Sequence, residues 1–178
     1  MDLSILIWIH QHLVFEQLNG FFIFITNLWG DGILTVILTL FLLIKKETRL
    51  TGLVIAISLL LNLLIVNLTL KPLVARPRPY TLYEIEMLLP VQADFSFPSG
   101  HSSSVFAFVW AYLITRKDRI RWIFLGFALL VCFSRLYLFV HYPTDVLAGI
   151  IIGILCALFS RWLVFRFSDT PWMHKLLD

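Results

Sequence analysis

Charge is scarce in this sequence. Asp, Glu, Lys and Arg make up 14% of its 178 residues, 60% are apolar, and the mean hydropathy is +0.89. That balance excludes an ordinary soluble domain and indicates a membrane protein. Cysteine is scarce too. Cys132 and Cys156 both fall inside apolar runs without zinc-type or CxxC spacing, so they read as small buried hydrophobes with no chemistry assigned. There is no basic n-region and no small-residue cleavage site: Met1-Asp2 leads into a short apolar run and then His10-Gln11-His12, so the N-terminus is expected to be retained. His10 and His12, two apart, point to different faces of a helix, which argues against a shared metal. The net charge of +3 and pI near 9.0 do not indicate nucleic acid, because the basic residues lie in short clusters between apolar runs.

Long apolar stretches are what the chain has in quantity. Those at 32–44, 50–70, 102–115, 120–138 and 146–165 predict five spanning helices. The stretch 3–29, interrupted by Glu16, Gln17, Asn19 and Gly20, reads as one broken span or two interfacial pieces and is counted as a sixth span. The expectation is an all-α, polytopic transmembrane bundle of about six spans, one domain over 1–178, with no room for an appended soluble module. Ten of the 14 basic residues (Lys45, Lys46, Arg49, Arg116, Lys117, Arg119, Arg121, Arg161, Arg166 and Lys175) fall on one side, which is assigned to the cytoplasm. With six spans, both termini lie there as well. Lys71, Arg76, Arg78 and Arg135 fall at the opposite, extracytoplasmic helix ends, where a charge is costly unless it is paired or binds something.

Three stretches on that side hold the polar and conformationally special residues. They run from Lys71 to Arg78-Pro79, through Pro98-Ser99-Gly100-His101, and from Ser134-Arg135 to His141 and Asp145. Lys71, Arg78 and Arg135 supply three cations suited to phosphate oxygens. Ser99-Gly100 opens a helix beginning near Ser102, where a close backbone approach and the helix N-terminus add N–H donors. His141 and Asp145 are four apart across Pro143. A carboxylate on one imidazole nitrogen fixes the tautomer and leaves the other nitrogen to attack phosphorus, while His101 can protonate the leaving oxygen and later take a proton from water.

Together the stretches resemble the phosphatidic acid phosphatase type 2 superfamily, whose pattern is KxxxxxxRP, PSGH and SRxxxxxHxxxD, in that order, with no departure here at a fixed position. The resemblance implies a helical-bundle phosphatase needing no metal ion or other cofactor. In it His141 forms a phosphohistidine, Asp145 supports His141, His101 protonates the leaving group, and Lys71, Arg78, Ser99, Gly100 and Arg135 hold the phosphate. Vanadium-dependent haloperoxidases resemble the same site but are soluble.

Plainer roles compete with these. Taken singly, the three cations are interfacial anchors, His101 a capping or headgroup-facing histidine, and Asp145 a helix N-terminal complement. Their joint spacing favours catalysis. Arg76, at a variable position of the pattern, reads as a surface or headgroup contact, and Ser134 as a prop for backbone or Arg135. Asp31, Glu84, Glu86 and Asp94 read as solvated loop charges or access-gate residues, and residues 80–97 as part of an entrance or lid.

Arg116 to His101 is 15 residues, Arg121 to Arg135 is 14 and Arg161 to Asp145 is 16, rises of roughly 21–24 Å. Set against a hydrocarbon core of about 30 Å, this puts the site several ångströms below the outer interface. That depth suits a phosphate carried on a membrane lipid: phosphatidate, phosphatidylglycerol phosphate or undecaprenyl diphosphate. The rival readings are a lipid phosphotransferase and a non-enzymatic lipid or anion transporter.

Overall fold

The computed structural model describes residues 2–30, 32–83 and 85–167, and these contain helices and no strand. Asp31, Glu84 and Lys175 lie outside the described residues. The helices are α1 (Asp2–Leu13), α2 (Glu16–Gly30), α3 (Ile33–Ile44), α4 (Arg49–Asn62), α5 (Lys71–Val74), α6 (Gly100–Thr115), α7 (Ile120–Tyr137) and α8 (Pro143–Arg166). The chain is a multi-pass membrane protein. The helical run Lys46–Thr81, α7 and α8 are each long and apolar enough to cross a bilayer, and α2 with α3, bent by 50° between them, meets the same test as a pair.

α4 does not run straight into α5. Leu63–Leu70 between them is a π-helix, and the Thr69 hydroxyl donates to the Leu64 carbonyl five residues back at 2.9 Å. The wide turn ends where Pro72, which has no N–H to give, enters the helix. Ala75 then takes a left-handed conformation, φ 47°, and its N–H donates to the Lys71 carbonyl, which closes α5 and turns the chain toward Arg76 and Arg78.

α6 and α8 form the centre. Gly149 and Gly153, one helical turn apart, let α8 lie against the α6 backbone: a methyl on Gly149 would come 2.7 Å from the Ser99 carbonyl oxygen, and one on Gly153 would meet the Ser103 carbonyl and come 2.8 Å from the Ala107 nitrogen. Val105, Phe108, Val109, Val131, Ala157 and their neighbours fill the core around this contact.

Each end of the bundle is tied by its own bonds. At one end Arg116 donates to the Glu47 carbonyl at 3.1 Å and pairs with Asp118 at 3.3 Å, so the loops carrying the basic clusters meet. At the other, Asp2 accepts from Arg76 at 2.7 Å and from the Thr144 N–H at 3.2 Å, while Tyr137 donates to the Phe15 carbonyl at 2.7 Å.

This corrects the expected chain path. The stretch 3–29 forms two helices: α1 packs Leu6 against Phe139 and Tyr142 across the end opposite the basic loops, and α2 descends from it and continues through the bend as α3. Asp2, bonded to Arg76 and Thr144, sits at the end opposite the basic loops, and the expectation that both termini lie with those loops does not hold for the N-terminal side.

Candidate active site

The turn after α7 delivers His141. Phe139 adopts a left-handed conformation, φ 56°, and the Phe139 and Val140 N–H groups donate back to Leu136 and Arg135, which reverses the chain and buries the imidazole. Pro143 opens α8 and puts Asp145 in its first turn, where Oδ2 accepts the Tyr142 N–H at 2.9 Å. Asp145 therefore does serve the helix N-terminus, and it does more. His141 Nδ1 lies 3.6 Å from Asp145 Oδ2, too far for a hydrogen bond, and the Ser96 hydroxyl spans the gap: it sits 3.4 Å from Nδ1 and donates to Oδ2. With its O–H directed at the carboxylate, the hydroxyl oxygen can accept from Nδ1–H. On the other side of the ring Arg78 Nη1 is 3.4 Å from Nε2. A guanidinium only donates, so Nε2 carries the lone pair. That is the tautomer a nitrogen nucleophile requires.

Lys71 and Arg78 converge on the carboxylate of Asp94, which bonds both of them, and Arg78 also donates to the Asp94 and Val140 carbonyls at 2.9 Å each. Burial by itself would raise the Asp94 carboxyl, but Lys71 and then Arg78 outweigh it and hold it down at about 2. Arg135 is buried, bonded to the Thr26 hydroxyl, and its Nε has no partner. Three cations thus face one carboxylate, and a buried guanidinium N–H lacks an acceptor. Both features call for an added anion.

His101 lies where two cavities meet. One, about 520 Å³, is lined by Lys71, Asp94, Gly100 and His101 together with Val36, Leu59 and Leu63. The second, about 350 Å³, is lined by Arg135, Gln92 and His101 among others. Gly30 of α2 leaves room for the His101 ring in its present position, since a Cβ there would come 2.7 Å from His101 Nε2. Ser99 caps α6, its hydroxyl accepting from the Ser102 N–H at 3.4 Å and from the Ser102 hydroxyl at 2.9 Å, and its own N–H donates to the Asp145 carbonyl at 3.0 Å. Donors from this N-terminus must then come from the residues after Ser99. A Cβ on Gly100 would stand 3.7 Å from Lys71 Nζ, which locates Gly100 beside that cation.

The sequence-derived residues His141, Asp145, His101, Lys71, Arg78, Ser99, Gly100 and Arg135 are thus brought into one region, with Lys71, Gly100, His101 and Arg135 on the cavity walls. Sequence reasoning missed Ser96, which carries no signal beyond standing two residues before Pro98. It read Asp94 as a solvated charge or gate, whereas Asp94 bridges two cations, and it read Arg76 as a surface or headgroup contact, whereas Arg76 donates to Asp145 Oδ1 at 2.6 Å. Ser134 donates to the Val131 carbonyl at 2.6 Å, a backbone contact, and Glu86 is exposed. No group of three His, Cys, Asp or Glu able to hold a metal occurs among the described residues.

The PAP2 superfamily model matches residues 51–169, which includes all of these sequence-derived residues. The undecaprenyl-diphosphatase BcrC of Bacillus subtilis (strain 168) is 37% identical over 106 residues, covering 60% of this chain and 52% of that protein. The undecaprenyl-diphosphatase of Sulfolobus acidocaldarius is 35% identical over 139 residues, covering 76% of this chain and 66% of that protein. The chain thus spans about half to two thirds of the length of these curated relatives. The crystal structure of Aquifex aeolicus LpxE superposes with a TM-score of 0.77 at 29% identity, covering 89% of this chain and 93% of that one.

Proposed function

The chain belongs to the PAP2 superfamily, and from that premise we propose that it is a lipid phosphatase working on the extracytoplasmic side of the membrane, with undecaprenyl diphosphate as its substrate. The observation that carries the reading is the joining of His141 Nε2, its lone pair 3.4 Å from Arg78, to a cation cluster with surplus positive charge. The larger cavity supports a lipid substrate, because it puts apolar Val36, Leu59 and Leu63 in the same space as Lys71 and His101, a phosphate end and a tail end. The names of two curated relatives support the diphosphate. The basic loops at the far end support the side.

In the reaction, Lys71, Arg78 and Arg135 hold the terminal phosphate and Asp94 gives way to it. His141 Nε2 attacks phosphorus as the bond to the bridging oxygen breaks, and His101 gives that oxygen a proton. The lipid monophosphate leaves. The new phosphohistidine is cationic at the ring, and Asp145, reached through Ser96, stabilises it. Water then attacks phosphorus, His101 takes its proton, and inorganic phosphate departs from a restored His141.

The test is release of inorganic phosphate from undecaprenyl diphosphate, phosphatidate and phosphatidylglycerol phosphate in detergent, with His141→Ala as the blank. Release fastest from the diphosphate and absent in a folded His141→Ala protein is expected. Release that persists in that variant overturns the reading, and phosphate passed to a lipid acceptor instead of water makes the chain a phosphotransferase.

A further inference from the structure

Asp145 is fully buried, and its two oxygens are held by different groups. Oδ2 takes the Ser96 hydroxyl and the Tyr142 N–H, both neutral, whereas the charged partner is on Oδ1: Arg76 Nη1 at 2.6 Å. Arg76 is itself fixed on several sides. Nη1 also donates to the Thr144 hydroxyl at 2.8 Å, Nη2 donates to Asp2 at 2.7 Å, and the guanidinium carbon lies 3.8 Å over the Tyr142 ring. Asp2 comes from α1, and it bonds Thr144 through that residue's N–H and hydroxyl. The guanidinium bonds go to Asp145, Thr144 and Asp2 and none goes to Asp94, the carboxylate on which Lys71 and Arg78 converge.

A buried carboxylate held by neutral donors alone is unfavourable, and a guanidinium with one terminal nitrogen on Asp145 and the other on Asp2 is suited to fix its orientation. Charge counting adds a second role for the cluster. Asp2, Arg76 and Asp145 together carry one net negative charge, directed at an imidazole that becomes cationic when phosphorylated. We infer that Arg76, backed by Asp2 of α1, is a positioning residue that sets Asp145 against Ser96 and His141. The inference rests on the nucleophilic role proposed for His141 and adds to it a clamp reaching from the N-terminal helix to the reacting ring.

The experiment measures kcat, KM and inhibition by inorganic phosphate for the full chain in detergent, on the substrate of the panel turned over fastest. Arg76→Gln is expected to lower kcat by roughly 10- to 100-fold, the scale of a misplaced catalytic group, with KM and phosphate inhibition within about twofold. Arg76→Lys recovers part of the loss, because an ammonium supplies the charge without the fork. Asp2→Asn lowers kcat less, and joined to Arg76→Gln it adds nothing further, since Asp2 acts through Arg76. If Arg76→Gln does not fold, Arg76→Lys and Asp2→Asn carry the test by the same split of kcat from KM. A rise in KM and weaker phosphate inhibition with kcat unchanged would make Arg76 a phosphate ligand and overturn the inference. His141-dependent release equal to wild type in Arg76→Gln and Asp2→Asn overturns it alone, whereas release that does not depend on His141 overturns the proposed function and this inference with it.

Discussion

At His141 the two ring nitrogens have different partners, and that difference depends on Ser96. Its hydroxyl is 3.4 Å from Nδ1 and donates to Asp145 Oδ2, so Ser96→Ala leaves a 3.6 Å gap between imidazole and carboxylate. The expected result is a fall in kcat of roughly 10- to 100-fold with folding intact, read from phosphate release and thermal unfolding together. Asp94 is the converse case, a group that competes with substrate. Its carboxylate occupies Lys71 and Arg78, the cations proposed to hold phosphate, so Asp94→Asn should tighten inhibition by inorganic phosphate by about three- to tenfold. The pH dependence follows from a carboxyl held at about 2 instead of its ordinary 3.8. A depressed carboxyl stabilises the fold above the ordinary value, and that contribution fades as pH falls through the lowered one. Asp94 therefore stays ionised from pH 8 to pH 4, and the difference in phosphate inhibition attributable to it should persist over that range.

At the scale of elements, the helix ends decide what the side chains can do. The left-handed turns at Ala75 and Phe139 redirect the chain after α5 and α7, one into Arg76 and Arg78 and the other into His141. The position of the His101 ring beside α2 depends on Gly30. Its added Cβ in Gly30→Ala would come 2.7 Å from His101 Nε2, the far end of a side chain that can move, so the ring should shift and the helices should hold. Phosphate release is expected to fall roughly tenfold or more with little change in unfolding temperature. A large fall in stability with unchanged release would mean that the helix, and not the histidine, had given way.

For the whole molecule, the bonds of Asp2 to Arg76 and Thr144 put α1 at the site's end of the bundle, with the basic loops at the other. Impermeant maleimide should therefore label Ser4→Cys on intact cells, while Lys46→Cys should label only after permeabilisation. Ser4 and Lys46 are exposed, and the native Cys132 and Cys156 are buried and should stay silent. Both positions labelling from the same side would refute this topology.

The all-helical membrane class, the approximate bounds of α3, α6, α7 and α8, the start of α4, and the grouping of Lys71, Arg78, His101, Arg135, His141 and Asp145 were all determined by the sequence alone, while the change to a π-helix at Leu63 was not. Long apolar runs have few folded outcomes in a bilayer, and fixed spacings of cations and histidines are local features that a linear reading retains. Ser96, Asp94 and Arg76 were decided only by the tertiary structure, because each acts through a partner remote in sequence: Ser96 on Asp145, Asp94 on Lys71 and Arg78, Arg76 on Asp145 and Asp2. The path of the N-terminal helices had the same origin. A stretch interrupted by Glu16 and Asn19 can span, break or lie flat with similar hydropathy, and it was packing of Leu6 and Phe22 against the site's own elements that selected one path.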